Sequence, residues 1–282
     1  MNDNFPPVTI RDSESRFLKS RLLGKEYKIQ VALPAGYAES KETYPVLYLL
    51  DADIWFGGIA ETIRNFVAFR KMFSIQTVPD MIVVGIGYPI DPAKPSEYYA
   101  GWFSARAKDF SPTNDPAAPY GLDALPSGGA NDFLAFIRDD LKPFINSNYR
   151  ANPEDSTVYG ASFGGLFALY VLFHRPDTFN RYIAISPSLW WDKKVTFNYE
   201  SKYANEHTEL PARLFLSQGS LEKDDLQDHV QNLQEFVQIL QKRNYKGLEW
   251  SSHIYEGENH LTACEAAKSL AIVSVFSTPK KD

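Results

Sequence analysis

The stretch at residues 156–174, STVYGASFGGLFALYVLFH, decides the fold of this 282-residue chain. Its first five residues are typical of a buried strand, and the apolar run from Phe163 onward is typical of a buried helix. Ser162 lies at the turn between them, with Gly160 two residues before it and Gly164 two residues after it. Small flanking residues let a strand and a helix approach closely, so the pattern predicts a sharp turn that exposes a serine hydroxyl. The alternative is a tight turn without a chemical role.

Short apolar runs elsewhere predict a sheet around this turn. They are rich in branched and aromatic residues, as strands are, and lie at 28–33, 45–51, 81–87, 156–160, 181–186, 213–219 and 248–255. Apolar residues at helical spacing predict helices over 130–146, 225–243 and 260–276. Strands that alternate with helices predict an α/β fold with a mainly parallel central sheet, helices on both faces and reactive groups at the carboxyl ends of strands. Without a repeat or a linker, we expect a single domain over residues 1–282.

The least regular part of the chain is the 88–128 segment, which is rich in proline, glycine and aromatic residues. A connection of this length in a compact domain is usually functional or disordered. Its aromatic side chains favour a packed, substrate-facing loop: Tyr98, Tyr99, Trp102, Phe103, Phe110 and Tyr120. A simple insertion is the alternative.

Composition excludes several classes of protein. With 44% hydrophobic residues the chain can bury a substantial core, and a formal net charge of −6 argues against nucleic acid as the main partner. No apolar run approaches the roughly 20 residues that cross a bilayer. The one cysteine, Cys264, cannot form an internal disulfide, and residues 1–17 lack the pattern of a signal peptide. We expect a cytoplasmic protein that acts on a small molecule.

A serine hydroxyl becomes an effective nucleophile when an imidazole takes its proton, so one of the five histidines should be the base. His260 follows the last predicted strand and opens the last predicted helix. Hydrolases with the chain order Ser, acid, His place their base there. We expect surface roles for His207 and His229, whereas His174 lies too far along the helix after Ser162 and His253 lies inside a strand. A histidine that only caps a helix is the alternative for His260.

The third member of such a site is a carboxylate that holds the imidazole, near the end of a strand between the other two. The segment 213–228 contains four acidic residues after its strand: Glu222, Asp224, Asp225 and Asp228. Glu222 comes first after the strand and its glycine, whereas the aspartates resemble the first turn of the next helix, where carboxylates favour the helix dipole. We therefore predict Glu222 as the acid, with the three aspartates as alternatives.

The tetrahedral intermediate of acyl transfer needs two backbone N–H donors. One normally comes from the residue after the nucleophile, here Phe163. The second is expected from the loop after an earlier strand, where the sequence reads LLDADIW and offers either Ala52 or Asp53. The side chains of Asp51 and Asp53 are candidates for holding that loop by hydrogen bonds.

Seven segments together resemble the Putative esterase family of α/β-hydrolases. They are YLLDAD, ARAKDFSPT, SGGANDFLAFIRDDLKPFI, GASFGGLFAL, ISPSLWW, SQGSLEKDD and EGENH, in that order from about Tyr27 to Phe276. The most similar branch contains the siderophore trilactone esterases that act on enterobactin, salmochelin and bacillibactin. The resemblance implies that Ser162 is the nucleophile, His260 the base and Glu222 the acid, although some relatives dispense with the acid. Relatives commonly carry Asp-Gly-Asn where this chain has Asp-Ala-Asp at 51–53, so the oxyanion loop is expected to differ slightly.

The resemblance also implies that Arg106, Trp190 and Trp191 face the substrate. The arginine would bind an anionic or catecholate group, and the tryptophans would stack on an aromatic acyl group. The alternatives are that Arg106 pairs with Asp109 to hold its own loop and that the two tryptophans complete the core.

The chain is thus expected to be a serine carboxylic-ester hydrolase that works through an acyl-enzyme and requires neither metal nor cofactor. A siderophore lactone is the first candidate substrate. Feruloyl, acetyl-type or small acyl esters and S-formylglutathione are the alternatives. A catalytically silent binding protein on the same fold is the alternative from a different class, and the sequence leaves the oligomeric state open.

Overall fold

A computed structural model describes residues 8–73, 78–91 and 93–277 of the chain. Its centre is a sheet of eight strands, ordered β1-β2-β4-β3-β5-β6-β7-β8. The strands are β1 (Ser13–Lys19), β2 (Glu26–Ala32), β3 (Tyr44–Leu49), β4 (Ile82–Gly87), β5 (Ala151–Ala161), β6 (Arg181–Ile185), β7 (Glu209–Gly219) and β8 (Lys246–Tyr255). β2 pairs antiparallel with β1 and β4, and all the other neighbours are parallel. The predicted mainly parallel sheet is confirmed.

Helices cover both faces of the sheet. They are α1 (Ala52–Phe73), α2 (Pro95–Phe110), α3 (Ala130–Phe136), α4 (Lys142–Asn148), α5 (Phe163–His174), α6 (Trp191–Glu206), α7 (His229–Arg243) and α8 (His260–Phe276). α1 and α8 contribute to the core on one face through residues such as Phe56 and Ala267. The other helices contribute to the core on the opposite face, where α5 is buried along almost its whole length. This architecture is the predicted α/β-hydrolase fold.

The predicted helix over 130–146 is a continuous helical run with one irregular turn. A π-helical turn over Ile137–Leu141 joins α3 to α4. Pro143 has no N–H with which to bond the carbonyl four residues before it, so a regular α-helix cannot pass through this point. That carbonyl, of Asp139, accepts a hydrogen bond from the guanidinium of Arg21 instead.

One loop prediction and one helix prediction need correction. The 88–128 segment is not irregular throughout, because it contains the 16-residue helix α2 and a 3₁₀ turn at Leu122–Ala124. The helix predicted over 225–243 begins only at His229, since the Asp228 carboxylate accepts a hydrogen bond of 2.9 Å from the Gln231 N–H and caps the helix there. The helix predicted over 260–276 has the bounds of α8.

Strand β1 was not predicted. It lies at one edge of the sheet, and its side chains are exposed except for the partly buried Leu18. An edge strand with two solvent-facing sides carries no apolar alternation, so its sequence lacks the signal that marks the other strands.

Within 8–73, 78–91 and 93–277, no helix combines the length and the apolar character that a membrane span requires. The same residues include no group of three or more His, Cys, Asp or Glu side chains that could hold a metal ion.

Candidate active site

Ser162 lies between β5 and α5 in a strained backbone conformation. Its φ is 59° and its ψ is −120°, which side-chain-bearing residues rarely adopt. Its N–H donates to the carbonyl of Ile185 on β6 at 2.9 Å. A Cβ atom on Gly160 would lie 2.1 Å from the carbonyl oxygen of Gly164, so only glycine allows the strand and the helix to approach this closely. The predicted sharp turn is present, and Ser162 is partly exposed at its tip.

His260 is the first residue of α8. The cap of that helix is Asn259, whose side chain accepts hydrogen bonds from the N–H groups of Leu261 and Thr262, so His260 does not serve as the cap. Its Nδ1 lies 2.6 Å from Oε2 of Glu222. The imidazole is 42% exposed, whereas the carboxylate behind it is 2% exposed. Nδ1 of His260 is therefore held by Glu222.

The Glu222 carboxylate is buried and receives hydrogen bonds on both oxygens. Oε1 accepts from the Ser186 hydroxyl and the Gly219 N–H, each at 2.7 Å. Oε2 accepts from the Gln218 side-chain amide at 2.6 Å and contacts His260. Burial alone would raise the pKa of Glu222, but the hydrogen bond and charge of His260, with the bonds from Ser186 and Gly219, hold it below its ordinary value. The group is poised to remain a carboxylate.

The other acidic candidates have different partners. Asp224 accepts a hydrogen bond of 2.8 Å from the Tyr120 hydroxyl. Asp228 caps α7 and lies 2.7 Å from the ammonium group of Lys223. Asp225 is exposed. Of the four acidic residues, Glu222 is the one that contacts His260.

Ser162, Glu222 and His260 line one cavity of about 490 Å³. It lies at the carboxyl ends of β5 and β7 and the first turns of α5 and α8, where a parallel sheet gathers groups from distant parts of the chain. The rest of its wall combines apolar and aromatic residues, which are Phe103, Tyr120, Leu122, Phe163, Trp190 and Leu221, with the polar or charged residues Arg106, Ser188, Lys223, Asp224, His229 and Asn259. The 88–128 segment thus contributes Phe103, Tyr120 and Leu122 to the cavity wall.

The predicted oxyanion donors lie on two elements. Phe163 is the first residue of α5 and lines the cavity. Ala52 and Asp53 open α1, and neither is among the residues that line the cavity. The Asp53 carboxylate accepts a hydrogen bond of 2.8 Å from the N–H of Tyr88. Burial raises the pKa of Asp53, although the hydrogen bond from Tyr88 opposes this shift. The same hydrogen bond connects the start of α1 to the end of β4.

Arg106 lines the cavity but has a partner that the sequence did not indicate. Its Nε and Nη2 donate to the two carboxylate oxygens of Asp51 at 2.8 and 2.9 Å. The expected alternative, a pair with Asp109, is wrong, because Asp109 accepts from Lys25 at 2.6 Å and from Tyr27 at 3.1 Å. The expectation that Asp51 holds its loop by hydrogen bonds agrees with this geometry.

The two tryptophans have different environments. Trp190 lines the cavity, where its ring lies 5.6 Å from that of Tyr120 in an edge-to-face contact. Trp191 is 1% exposed, is not among the lining residues, and its indole N–H lies 3.2 Å from the Thr113 hydroxyl oxygen. The expected substrate contact of Trp191 is therefore not supported, because its ring completes the core and its donor already has an acceptor.

His229 lines the cavity, although its sequence context predicted a surface position. It begins α7, its ring lies 6.3 Å from that of Trp190, and burial lowers its pKa. The sequence signal was weak, because a histidine at the start of a polar, amphipathic helix resembles a surface residue. Only the return of the chain after Glu222, whose carbonyl accepts the His229 N–H at 3.1 Å, places the ring beside the cavity.

Comparisons with known proteins find relatives that cover nearly the whole chain. The chain is 33% identical over 273 residues to ferri-bacillibactin esterase BesA of Bacillus subtilis (strain 168), covering 94% of this chain and 89% of that protein. It is 28% identical to the siderophore triacetylfusarinine C esterase of Aspergillus fumigatus (strain ATCC MYA-4609 / CBS 101355 / FGSC A1100 / Af293), covering 98% and 97%. The crystal structure of the BES protein from Bacillus cereus matches with a TM-score of 0.82 at 29% identity, covering 98% and 100%.

A fourth similarity is to an IroE-like serine hydrolase from Shewanella oneidensis, with a TM-score of 0.78 at 27% identity and coverage of 94% of this chain and 80% of that one. The family described as Putative esterase matches residues 20–267. Since this match spans most of the chain, the protein belongs to the Putative esterase family and is an esterase.

Proposed function

We propose that this esterase hydrolyses a siderophore ester through an acyl-enzyme formed on Ser162. The observation that carries the proposal is the convergence of Ser162, His260 and Glu222 on one cavity, with Nδ1 of His260 2.6 Å from Glu222. The names of the similar proteins, a ferri-bacillibactin esterase and a siderophore triacetylfusarinine C esterase, support the substrate class. The aromatic wall of the cavity suits an aromatic or otherwise apolar acyl group.

In the proposed mechanism, Oγ of Ser162 attacks the ester carbonyl carbon while His260 takes the hydroxyl proton on Nε2. Glu222 holds the imidazole through Nδ1 and stabilises the imidazolium that forms. The tetrahedral oxyanion accepts the Phe163 N–H and a second N–H from Ala52 or Asp53. When the intermediate collapses, the alcohol leaves with the proton from His260. Water then attacks the acyl-enzyme with His260 as base, which releases the acid and restores Ser162.

Covalent labelling combined with turnover tests the mechanism. A fluorophosphonate probe should label the wild-type protein at Ser162, and Ser162→Ala should abolish both the adduct and hydrolysis of an aromatic trilactone. Glu222→Gln should lower kcat by roughly 10²- to 10⁴-fold, because the amide does not hold the required tautomer of His260. Asp225→Asn, an exposed neighbour, is the matched control and should retain wild-type kcat. Folded wild-type protein that forms no adduct at Ser162 would refute the mechanism.

The substrate class is tested separately by comparing kcat/KM for an aromatic trilactone, methyl ferulate, a short p-nitrophenyl ester and S-formylglutathione. We expect the trilactone to be preferred. A higher kcat/KM for methyl ferulate or S-formylglutathione would replace the siderophore proposal without affecting the catalytic one. The p-nitrophenyl ester has an activated leaving group and measures general esterase activity.

We also propose a cytoplasmic location, which the lone cysteine supports, since it leaves the chain without an internal disulfide. Fractionation of the native host should find the protein with cytoplasmic markers, and its recovery in the extracellular fraction would contradict this.

A further inference from the structure

The Arg106 guanidinium joins three backbone segments that meet at the proposed catalytic centre. Nε and Nη2 bind both carboxylate oxygens of Asp51, and Nη2 also lies 3.3 Å from the carbonyl oxygen of Ala161. The guanidinium carbon lies 5.5 Å from the centre of the Phe163 ring. Both side chains of the ion pair are buried, at 5% and 2% exposure.

These contacts surround the groups that the mechanism uses. Ala161 and Phe163 are the residues on either side of Ser162, and Asp51 immediately precedes Ala52. Asp51 itself has a φ of 53°, and its carbonyl accepts the N–H groups of Ile54 and Trp55 at the start of α1. The same carboxylate lies against α5, because a Cβ atom on Gly164 would be 3.4 Å from its Oδ2. The ion pair therefore connects the α1 turn to the turn that carries Ser162.

We propose that Arg106 is a positioning residue for the oxyanion hole and not a ligand for an anionic group of the substrate. This inference rests on the proposed function. Two of the three guanidinium nitrogens are engaged with Asp51, and a bidentate carboxylate neutralises the positive charge that an anionic substrate would need. The rigid, bidentate geometry of the guanidinium is suited to holding together the two backbone segments that would supply the N–H donors. Because an oxyanion hole acts on the transition state, loss of Arg106 should affect kcat more than KM.

A positioning role and a substrate-binding role of Arg106 predict different effects of its replacement on different substrates. Arg106→Lys keeps the charge but replaces the planar, bidentate guanidinium with a single ammonium group. In the double variant Asp51→Asn/Arg106→Gln, two amides replace the ion pair, which avoids leaving a buried carboxylate unpaired. Both variants are assayed with an aromatic trilactone that carries catechol groups and with p-nitrophenyl acetate, which is neutral and small. A trifluoromethyl ketone, which forms a tetrahedral adduct with an active serine, measures binding to the oxyanion hole.

We expect kcat to fall by roughly 10- to 100-fold in both variants and by the same factor for both esters. KM should stay within about threefold of the wild-type value, and affinity for the ketone should fall in parallel with kcat. Ser96→Ala, a change at an exposed position of the same helix, is the control and should leave all three quantities unchanged. Circular dichroism spectra that match the wild type show that each variant is folded.

A KM that rises for the catechol ester alone, with p-nitrophenyl acetate turnover unchanged, would overturn the inference and make Arg106 a substrate ligand. Unchanged kinetics with both esters would also overturn it. Fluorophosphonate labelling of the wild-type protein at Ser162 separates these outcomes from failure of the proposed function. If the wild type is labelled and the Arg106 variants behave as wild type, only the positioning role fails.

Discussion

At the scale of single residues, the position of Glu222 is explained by the donors around it. Ile185 of β6 pairs in register with Ser217 of the adjacent strand β7. Ser186 directly follows Ile185 along the chain, and Gln218 directly follows Ser217. Their side chains therefore reach the same carboxylate from two strands. The sequence indicated Glu222 by its distance from the strand, but it could not indicate these donors, because strand order and register are not visible in one sequence. The Asp51–Arg106 pair was missed for the same reason.

The Ser186 hydroxyl should contribute stability that depends on the ionisation of Glu222. A hydrogen bond to a buried charged group contributes about 1.5–3 kcal/mol, so Ser186→Ala should lower the free energy of unfolding by about that amount at pH 7. In the folded protein the pKa of Glu222 lies below its ordinary value, so the ionised carboxylate stabilises the fold above the ordinary pKa. That contribution is lost as pH falls through the lowered value. The difference between variant and wild type should therefore shrink toward acidic pH.

Urea unfolding at several pH values between neutrality and the acidic limit of folding measures this difference. Ser15→Ala, at an exposed position on β1, is the control and should change stability by no more than about 0.5 kcal/mol at any pH. A difference between Ser186→Ala and wild type that stays constant with pH would show that the hydroxyl acts through packing and not through the charge of Glu222.

At the scale of elements, the sequence predicted most of the strands and helices α3 to α5, α7 and α8, but missed β1, α1, α2 and α6. Polarity does not explain why α1 was missed, because its buried residues are all apolar. Strands β2 to β7 and helix α8 bury apolar residues, and β8 packs partly buried ones such as Leu248 and Trp250 against the core. Helix α2 buries Arg106, Ala107, Asp109 and Phe110, so half of its buried residues are charged. Its aromatic residues also include the exposed Tyr99 and Phe103. Periodicity cannot reveal such a helix, because its charged residues pair with partners from distant strands.

The junction of β5 and α5 gives a prediction at this scale. Gly160→Ala would place a methyl group 2.1 Å from the Gly164 carbonyl oxygen, closer than any non-bonded contact allows. The strand and the helix would have to separate, which moves Ser162. We expect a loss of roughly 3 kcal/mol or more in the free energy of unfolding. Fluorophosphonate labelling should also slow at least tenfold under conditions where the variant is folded.

Gly24→Ala is the matched control for this substitution. Gly24 has a φ of +63°, and an added Cβ atom there would have no other atom within 4 Å. Gly24→Ala therefore measures the free-energy cost of alanine at a positive φ without a steric clash. It should cost about 1 kcal/mol and leave labelling unchanged. Equal effects of the two substitutions would mean that the close approach of β5 and α5 is not what Gly160 provides.

At the scale of the whole molecule, the proposed catalytic residues come from points far apart in the chain and meet because of the sheet order. Asp51 follows β3, Ser162 follows β5, Glu222 follows β7 and His260 follows β8, and these four strands are parallel. Their carboxyl ends form one edge of the sheet, so the loops after β5, β7 and β8 deliver Ser162, Glu222 and His260 to one cavity. The loop after β3 delivers Asp51 to Arg106, which lines the same cavity. The order along the chain was predictable from the sequence, whereas the contribution of the start of α7 to the cavity wall was not.

We propose that the chain folds as a single domain, because the proposed catalytic groups all meet at the edge of one sheet. The eight strands form one hydrogen-bonded sheet from Ser13 to Tyr255, and each face carries an extensive buried core. Neither core can persist if the sheet opens, so unfolding should be one cooperative transition.

Far-UV circular dichroism reports on the backbone, and fluorescence reports on tryptophans in α1, α2, α6 and β8. The two signals should give the same Tm, and the calorimetric enthalpy should equal the van't Hoff enthalpy. Two resolved transitions in a reversible scan would instead mean that part of the sheet unfolds independently, and the single-domain proposal would be wrong.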